Sequence, residues 1–329
     1  MYYSKISSCG AYLPANVVTN YELEKTVDTT HDWILQRTGI TKRHLADKNE
    51  ATSDLAFNAT INCLSQYEKE FGIKKTSVDC ILVATTTPDK TFPSTACILQ
   101  SKLLDFGISS KFAFDIQAVC AGFVYGLTMG DSMIKSGLCD SVLVIGADKL
   151  SSILNWQDRT TCVLFGDGAG AVLLEAKSDK VDQKDGIVYC SIESHGQHNH
   201  ILQTSGGTST TATSGYIEMD GKEVFKHAVT KMSDSIVKIM NLNNLKPEDL
   251  DFIIAHQANE RILDAVSKKL EMTTTNFIKT VDIHANTSSA SIPLALNHCL
   301  QNNLIKRGDK IIFEALGAGL TFGGVYAIW

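Results

Sequence analysis

Three short segments recur in the same order in the two halves of this 329-residue chain, and this repetition constrains its fold more than any other feature. Each copy lies about 170 residues beyond its first occurrence, and repetition of several elements at one spacing indicates a duplicated unit. We therefore expect two similar halves, residues 1–175 and residues 176–329. The matching segments are 78–84 with 250–256, 114–120 with 281–287, and 140–145 with 309–314.

Short apolar runs alternate with helical patterns along both halves. The runs lack an alternating polar face, which is typical of strands buried on both faces of a parallel sheet. Apolar residues at helical spacing between the runs predict amphipathic helices, and the alternation indicates an α/β architecture. The predicted strands are 81–84, 142–145, 252–255 and 310–313, and the clearest helical stripes are Leu55, Ala59, Cys63, Tyr67 and Phe225, Ala228, Val229, Met232, Ile236.

Charge and cysteine content exclude several classes of protein. The net charge of −6 argues against a dedicated nucleic-acid-binding protein, and no apolar run approaches the ~20 residues of a membrane span. The nine cysteines are scattered without a Cys-x-x-Cys pair, which disfavours a zinc or thioredoxin-like site. The first residues contain no apolar signal-peptide core. We expect a cytoplasmic protein with reduced thiols.

Two segments suggest ligand sites but are explained better by loops and turns. Residues 194–215 are rich in Gly, Ser and Thr, so they predict a mobile surface loop, and the histidines at 195, 198 and 200 are not expected to bind a metal. Residues 166–171 match the dinucleotide-binding pattern G-x-G-x-x-A, but a strand rather than a helix follows them. We expect these glycines to form a tight turn that lines a cleft.

Three chemically capable side chains follow predicted strands, where α/β folds place their chemistry. Cys120 precedes a helical pattern, so its sulfur is expected near a helix N-terminus, which stabilises a thiolate. His256 follows the strand 252–255, and Asn286 lies in the second-half counterpart of the Cys120 turn. Each also has an ordinary explanation: a packing thiol, a buried core histidine and a helix cap.

Several short motifs occur along nearly the whole chain, and the order in which they occur is informative. They are Asp32-Trp33-Ile34, Arg37-Thr38-Gly39-Ile40, Phe92-Pro93-Ser94, Ala118-Val119-Cys120-Ala121-Gly122-Phe123, Phe165 to Gly170, Met219 to Phe225, His256-Gln257-Ala258-Asn259, Asn286-Thr287-Ser288 and Gly319 to Gly323. In these motifs the chain resembles the β-ketoacyl-acyl-carrier-protein synthase III family of the thiolase-like superfamily. The resemblance implies a five-layered α-β-α-β-α fold with internal duplication, in which the first half carries a nucleophile and the second a His and an Asn.

The resemblance implies a Cys-His-Asn catalytic set. Cys120 would accept an acyl group from acyl-coenzyme A, with acetyl-CoA as the expected substrate. His256 and Asn286 would hydrogen-bond the thioester carbonyl of malonyl-acyl-carrier protein while decarboxylation forms an enolate. The backbone N–H groups of Cys120 and Ala318 would form an oxyanion hole. The implied enzyme is an acyltransferase that starts fatty-acid synthesis by decarboxylative Claisen condensation, using coenzyme A thioesters as substrates and no metal or other cofactor.

The resemblance also implies binding residues and partners. The expected partners are acyl-CoA, malonyl-acyl-carrier protein and a second copy of the chain, with neither nucleic acid nor a membrane. Phe92 would bound the partner's acyl pocket across a dimer interface, and Leu316 would border the pocket beside the nucleophile. The residues expected to bind coenzyme A and its pantetheine arm are Trp33, Arg37, Arg159, Gly221, Phe225, Ala258 and Asn259. Those expected to form a basic patch for the acidic carrier protein are Arg261, Lys226, Lys268 and Lys269.

The chain departs from the family pattern at four positions. Ala285 and Ala318 stand where Gly is usual, Leu316 where Phe is common, and Lys222 at a frequent Asn position. An alanine at position 285 costs little if its φ is negative. Leu316 leaves the preferred acyl chain open, because it could reshape the pocket.

Two other functions remain open at the level of sequence. A ketosynthase or acyltransferase of specialised metabolism, polyketide or quinolone-like, would keep the same acylated Cys120 and the same His and Asn. A non-catalytic partner subunit of a synthase pair is disfavoured by the presence of Cys120.

Overall fold

The strands of the chain form two main sheets and two short ribbons. The computed structural model describes residues 2–178, 185–272 and 276–329. Its strands are β1 (Tyr2–Tyr12), β2 (Asn16–Thr19), β3 (Lys42–Leu45), β4 (Ser77–Ala84), β5 (Ser109–Ile116), β6 (Ser141–Lys149), β7 (Asp167–Ser178), β8 (Gly186–Ser194), β9 (Leu202–Thr204), β10 (Ile217–Met219), β11 (Phe252–Ala255), β12 (Lys310–Gly317) and β13 (Thr321–Ile328).

The α-helices connect these strands and cover the sheets. They are α1 (Asn20–Leu23), α2 (His31–Thr38), α3 (Thr52–Phe71), α4 (Thr95–Asp105), α5 (Gly122–Lys135), α6 (Gly221–Leu242), α7 (Glu260–Lys269), α8 (Val281–His284) and α9 (Ser291–Gln301). Short 3₁₀ turns cover Val119–Ala121, Leu150–Ile153, Gly196–Ile201, Pro247–Asp249 and Ser288–Ala290.

The two main sheets repeat one topology. The first has the order β1-β7-β6-β4-β5, in which β4 runs parallel to β5 and β6 while β7 runs antiparallel to β6 and β1. The second has the order β8-β13-β12-β11, with β11 and β12 parallel and β13 antiparallel to β12 and β8. At the place of β5 the second sheet has a single parallel bridge, between Phe277 and Ile253. The structure therefore confirms the internal duplication.

The layers follow the order α-β-α-β-α. Helices α5 and α9 lie between the two sheets, where Phe123 and Leu127 share a buried apolar cluster with Leu296 and Phe313. Helices α3 and α4 cover the outer face of the first sheet, and α6 and α7 cover that of the second. All four predicted strand runs lie within observed strands, which confirms them.

The two helical stripes are confirmed, but the stripe on α6 is less completely buried than the stripe on α3. The stripe on α3 is buried throughout, because it faces the first sheet. On α6, Ala228, Met232 and Ile236 are buried, whereas Phe225 and Val229 are only partly buried. Phe225 lies one turn from the start of α6, and the Arg261 guanidinium lies 5.9 Å from its ring centroid.

Two expectations about local structure are wrong. Residues 281–284, which the repeat matches to the strand before Cys120, form helix α8 rather than a strand, since the parallel partner of β11 is Phe277. Residues 194–215 are mostly exposed, as expected of a surface loop, and they contain the turn Gly196–Ile201 and strand β9. The glycines of 166–171 mostly lie inside β7, where a Cβ on Gly170 would stand 2.6 Å from Pro293 of α9.

The division into halves at residues 175 and 176 stays a prediction. Strand β7 continues to Ser178, beyond the predicted boundary, and β8 begins at Gly186. Among the described residues, no helix combines the length and apolar character needed to cross a bilayer.

Candidate active site

Cys120 lies in the turn that joins the first sheet to the central helix α5. Strand β5 ends at Ile116, and the 3₁₀ turn Val119–Ala121 leads directly into α5 at Gly122. Val119 adopts a positive φ of 48°, a rare conformation for a β-branched residue. The side chain of Cys120 is buried, with 6% of its surface exposed. The predicted position at a helix N-terminus is therefore observed.

The protonation state of Cys120 differs from the expected thiolate. Burial raises the pKa of this thiol to about 12, and the charge of Asp148 acts in the same direction. The Ser288 hydroxyl lowers this pKa, but by less than burial raises it. Removal from water disfavours the charged form of a thiol, and here that effect exceeds the opposing ones. The resting side chain is consequently a thiol.

His256 follows β11 directly, as the sequence predicts. Its backbone N–H donates to the carbonyl of Glu314 on β12 at 2.7 Å, and its Nδ1 lies 2.7 Å from the hydroxyl oxygen of Ser291. Burial lowers the pKa of the imidazole to about 3, so His256 is neutral at physiological pH. A neutral imidazole carries one N–H, which makes it a hydrogen-bond donor that adds no net charge.

Asn286 is held by backbone hydrogen bonds to the first half of the chain. Its N–H donates to the carbonyl of Leu164 at 2.9 Å, and its carbonyl accepts from the N–H of Gly166 at 3.0 Å. Its side-chain Oδ1 accepts from the N–H of Ser288 at 2.9 Å. Because Oδ1 is occupied in this way, the amide NH₂ is directed elsewhere and remains a donor.

One segment of the second half connects the three candidate residues. Asn286 begins it, the turn Ser288–Ala290 packs against the Cys120 turn, and Ser291 contacts the imidazole of His256. All three candidate side chains are buried, since the exposed fractions of Cys120, His256 and Asn286 are 6%, 3% and 6%. The segment 286–291 therefore connects the Cys120 turn of the first half to His256 of the second.

The end of β12 lies against the nucleophile. A Cβ on Gly317 would stand 2.7 Å from the backbone nitrogen of Cys120, so this close approach requires glycine. The Thr321 hydroxyl lies 2.8 Å from the carbonyl of Ala118 and 3.0 Å from that of Ala318, which fixes the loop after β12 to the Cys120 turn. This arrangement places Ala318 beside Cys120 in one cavity.

That cavity has a volume of about 940 Å³ and opens to solvent. Cys120, Ser288, Ala318 and Phe165 are among the residues that line it. Residues 202–204 and 206–208 also line it, so the predicted surface loop forms part of its wall. Apolar residues of the wall include Leu150, Ile153, Leu202 and Ile217.

Two family models match the chain. The model described as 3-Oxoacyl-[acyl-carrier-protein (ACP)] synthase III matches residues 114–196, and the model of the C-terminal part of the same enzyme matches residues 240–329. The chain belongs to the 3-oxoacyl-[acyl-carrier-protein] synthase III family. The first match includes Cys120, and the second includes His256 and Asn286.

Individual members of this synthase III family match over nearly their whole length. The β-ketoacyl-[acyl-carrier-protein] synthase III of Paramagnetospirillum magneticum is 48% identical over 321 residues, covering 97% of both chains. The crystal structure of the enzyme from Aquifex aeolicus is 41% identical, with a TM-score of 0.89 over 99% of this chain and 100% of that one. The enzyme from Pseudomonas aeruginosa has a TM-score of 0.91 at 36% identity, covering 99% and 98% of the two chains. The synthase III family therefore has the thiolase-like fold described above.

The residues expected to bind the coenzyme A nucleotide form one surface cluster. The guanidinium carbons of Arg37 and Arg159 lie 4.4 Å and 5.3 Å from the ring centroid of Trp33. Arg159 also donates to the backbone carbonyl of Asp28 at 2.9 Å. Trp33 is half-buried and both arginines are exposed, so this cluster is accessible to a ligand.

The expected pantetheine residues lie between that cluster and α6. Asn259 caps α7 by accepting the N–H of Arg261, and its Nδ2 donates to the carbonyl of Arg37 at 3.0 Å. Asn259 thus has a structural role that accounts for most of its hydrogen-bonding capacity. Ala258 and Phe225 are partly buried, while Gly221 is exposed at the start of α6. None of these residues is among those lining the 940 Å³ cavity.

The four residues of the expected basic patch are exposed on α6 and α7. Lys226 lies 3.5 Å from Glu223, and Lys269 lies 3.1 Å from Asp234, so acidic neighbours offset part of their charge. The Arg261 guanidinium instead lies over the ring of Phe225. Lys268 lies in the last turn of α7, a favourable place for a cation.

The two residues assigned to the acyl pocket differ in exposure. Phe92 is 82% exposed, and it does not line the cavity of its own subunit. Leu316 is buried in the apolar cluster beneath α6, where it pairs across the sheet with Phe322, and it is likewise absent from the cavity wall. The assignment of Phe92 and Leu316 to an acyl pocket stays a prediction.

Sequence reasoning missed four residues that organise the site. Ser291 contacts His256, Ser288 contacts Asn286, Thr321 fixes the Ala318 loop, and Asp148 accepts the N–H of Ser289 at 3.1 Å. The motif around Asn286 could have drawn attention to its serines, because hydroxyl-rich segments before a helix commonly orient neighbouring groups. Thr321 lies within the quoted motif Gly319 to Gly323, but the motif did not reveal its contacts, and nothing in the sequence marked Asp148.

Proposed function

We propose that this chain catalyses the β-ketoacyl-acyl-carrier-protein synthase III reaction, in which an acyl group from acyl-CoA is condensed with malonyl-acyl-carrier protein. The chain belongs to a family of condensing acyltransferases, and the relatives that it matches at 45–49% identity are named for this activity. The observation that carries the proposal for this chain is the convergence of a buried Cys120, a neutral His256 and an oriented Asn286 on one segment.

In the first step Cys120 receives the acyl group. Its sulfur attacks the thioester carbonyl of acyl-CoA, the bond from that carbonyl to the CoA sulfur breaks, and the thiol proton leaves on the CoA sulfur. The backbone N–H groups of Cys120 and Ala318 stabilise the oxyanion formed in between. Because burial raises the pKa of this thiol to about 12, the thiol is protonated at rest and loses its proton during the transfer.

In the second step His256 and Asn286 donate hydrogen bonds to the thioester carbonyl of malonyl-acyl-carrier protein. The carboxylate of the malonyl group leaves as CO₂, and its electron pair forms an enolate stabilised by the two donors. The enolate carbon attacks the acyl carbonyl on Cys120. The new carbon–carbon bond forms, the Cys120 sulfur departs as a thiolate, and it takes up a proton from water.

These steps use coenzyme A thioesters as substrates, and we propose that the enzyme needs no cofactor of its own. Trp33, Arg37 and Arg159 are the proposed nucleotide contacts, and Gly221, Phe225, Ala258 and Asn259 the pantetheine contacts. Arg261, with Lys226, Lys268 and Lys269, is the proposed docking point for the acidic carrier protein, since a local basic patch can steer an acidic partner to a globally acidic enzyme.

A homodimer completes the proposal. Strand β5 lies at the edge of the first sheet, and an edge strand offers unpaired backbone groups to a second chain. Phe92 is exposed on the segment between β4 and α4, the helix that packs on β5, and it would reach the partner's acyl pocket. The nine free cysteines support a reducing, cytoplasmic location.

The proposal is tested by measuring β-ketoacyl-acyl-carrier-protein formation from a panel of acyl-CoAs. Wild-type protein should form this product, and His256→Ala and Asn286→Ala should each lose it by about 10²- to 10³-fold, the cost of removing an oxyanion donor. The same two variants should still form the acyl-enzyme. Acyl transfer to another nucleophile without condensation would favour the specialised-metabolism alternative, and product formation at the wild-type rate by Cys120→Ala would contradict the mechanism.

A further inference from the structure

The imidazole of His256 has one contact that fixes its chemistry. Ser291, the first residue of α9, lies with its hydroxyl oxygen 2.7 Å from Nδ1 of His256. The exposed fraction of Ser291 is 1%, so this contact is shielded from bulk solvent. The same oxygen lies 3.3 Å from the backbone nitrogen of Gln257.

The hydrogen-bonding capacity of a hydroxyl decides which group donates. The N–H of Gln257 can only donate, so it occupies one lone pair of the Ser291 oxygen. If Nδ1 also carried a proton and donated, the Ser291 proton would be left without an acceptor among the described residues. An unsatisfied buried hydroxyl costs about 1–3 kcal/mol. The favoured arrangement therefore has the hydroxyl donating to Nδ1.

Because His256 is neutral, its contact with Ser291 determines which ring nitrogen carries the proton. A neutral imidazole has one proton, and an Nδ1 that accepts a hydrogen bond leaves that proton on Nε2. The buried environment keeps the ring neutral, since it lowers the pKa to about 3. An Nε2–H can donate to a thioester oxygen, whereas an unprotonated Nε2 would present a lone pair to a developing oxyanion.

We propose that Ser291 is a positioning residue that holds His256 in the Nε2-protonated tautomer required for its donor role in condensation. This inference rests on the proposed function and adds to it a residue that touches no substrate.

One segment then sets both donors of the second step. The N–H of Ser288 orients the amide of Asn286, and the hydroxyl of Ser291, three residues later, orients the imidazole of His256. The hydrogen bonds of Ser291 among the described residues go to His256 and Gln257 and not to the Cys120 turn, so we expect the first step not to depend on it. The role of Ser291 therefore predicts a specific loss, in condensation and not in acylation.

The direct test is ¹⁵N nuclear magnetic resonance of the histidine-labelled full-length protein, with the His256 signals assigned by their loss in His256→Asn. In wild-type protein, Nε2 of His256 should be protonated and Nδ1 should carry the shift of a hydrogen-bonded acceptor. In Ser291→Ala the two nitrogens should show exchange between tautomers or a proton on Nδ1. A wild-type ring protonated on Nδ1 would overturn the proposal by itself.

Kinetics give the second readout. Ser291→Ala should lower kcat of condensation by at least about tenfold, and by no more than the 10²- to 10³-fold expected for complete loss of an oxyanion donor. Its rate of acylation by acyl-CoA should stay within about twofold of wild type, a difference equivalent to less than 0.5 kcal/mol. The matched control is Ser233→Ala, which removes another buried serine hydroxyl, bonded to Val229 within α6, and should leave both rates unchanged.

Failure of this inference is separable from failure of the proposed function. If wild-type protein forms no acyl-enzyme, the proposed function is wrong. If wild-type protein condenses and Ser291→Ala condenses equally fast with an unchanged His256 spectrum, only the role of Ser291 is wrong. Ser291→Cys retains a weak donor and should fall between wild type and Ser291→Ala, and it replaces the alanine variant if that protein does not fold.

Discussion

Gly317 lies against Cys120 so closely that a Cβ on Gly317 would stand 2.7 Å from the Cys120 backbone nitrogen. That nitrogen is one of the two proposed oxyanion donors, and Ala318, next in sequence to Gly317, supplies the other. The end of β12 therefore determines how far apart the two donors are. A glycine is required here by the neighbouring backbone.

Gly317→Ala should disrupt the oxyanion hole. The added carbon would also lie 2.9 Å from the carbonyl oxygen of Ala118, and neither backbone can move without shifting a donor. We expect the acylation rate to fall by about 10²- to 10³-fold, measured by rapid quench with acyl-CoA. Gly196→Ala is the control, because nothing lies within 4 Å of its Cβ position, and it should acylate normally. Normal acylation by Gly317→Ala would argue against the assigned donors.

The reactivity of Cys120 should rise with pH without reaching a plateau near neutrality. Burial raises the pKa of this thiol to about 12, so the thiolate fraction should increase about tenfold per pH unit between pH 6 and 10. Peptide mass mapping after a brief exposure to iodoacetamide measures this rate. Cys97, which is exposed, should be replaced by serine in the background to remove a competing thiol. A plateau below pH 8 would mean that a thiolate is present at rest.

Two buried histidines should make the protein less stable in mild acid. Burial lowers the pKa of His256 to about 3 and that of His284 to about 3, with His298, His44 and Lys42 adding repulsion at His284. The unfolded chain then binds protons that the folded chain does not, so stability is complete above pH ~6.5 and falls as pH decreases toward 3.

Urea unfolding between pH 7 and pH 4.5 measures this effect. Each histidine should contribute a decrease in the free energy of unfolding of up to about 1.4 kcal/mol per pH unit. In His284→Gln the free energy of unfolding should depend less steeply on pH, because the contribution of one histidine is removed. An equally steep dependence in that variant would show that His284 titrates normally.

Ala285 occupies a backbone conformation suited to glycine. Its φ is 59° and its ψ is −167°, a conformation that strains an alanine by about 1–3 kcal/mol. The substitution of Ala for Gly would be harmless only at a negative φ, and this condition is not met. Ala285→Gly should therefore keep the free energy of unfolding unchanged or raise it by up to about 1 kcal/mol.

A buried alanine in ordinary strand geometry is the comparison for Ala285. Ala171→Gly in β7 should lose about 1–2 kcal/mol, from chain entropy and a lost methyl contact. If both variants lose stability equally in thermal unfolding, Ala285 is not strained.

Strands and the amphipathic helices α3 and α6 were the elements that the sequence predicts best. The runs around Ile81 and Ile253 are apolar on both faces because each strand is covered on both sides, and that pattern is visible in one dimension. The secondary structure of residues 281–284 is not visible in this way. Whether Asp282 and His284 lie on a strand or in a short helix depends on which segment pairs with β11.

The reactive residues were predicted from their places at strand ends, and the resemblance supplied their roles. What the sequence could not supply was their surroundings. The pKa of Cys120 is raised because segments far apart in the sequence bury its side chain. The contact between Ser291 and His256 likewise joins the start of α9 to the residue after β11. The position of Leu316 depends on which face of β12 packs against α6. A strand that is apolar on both faces does not reveal this from its sequence.

The most direct measurement is the intact mass of the protein after incubation with acyl-CoA in the absence of malonyl-acyl-carrier protein, followed by peptide mapping. The account predicts an increase by one acyl group per chain, located on the peptide that contains Cys120, and no increase in Cys120→Ala. An acyl group on any other residue, or unchanged acylation of Cys120→Ala, would contradict it.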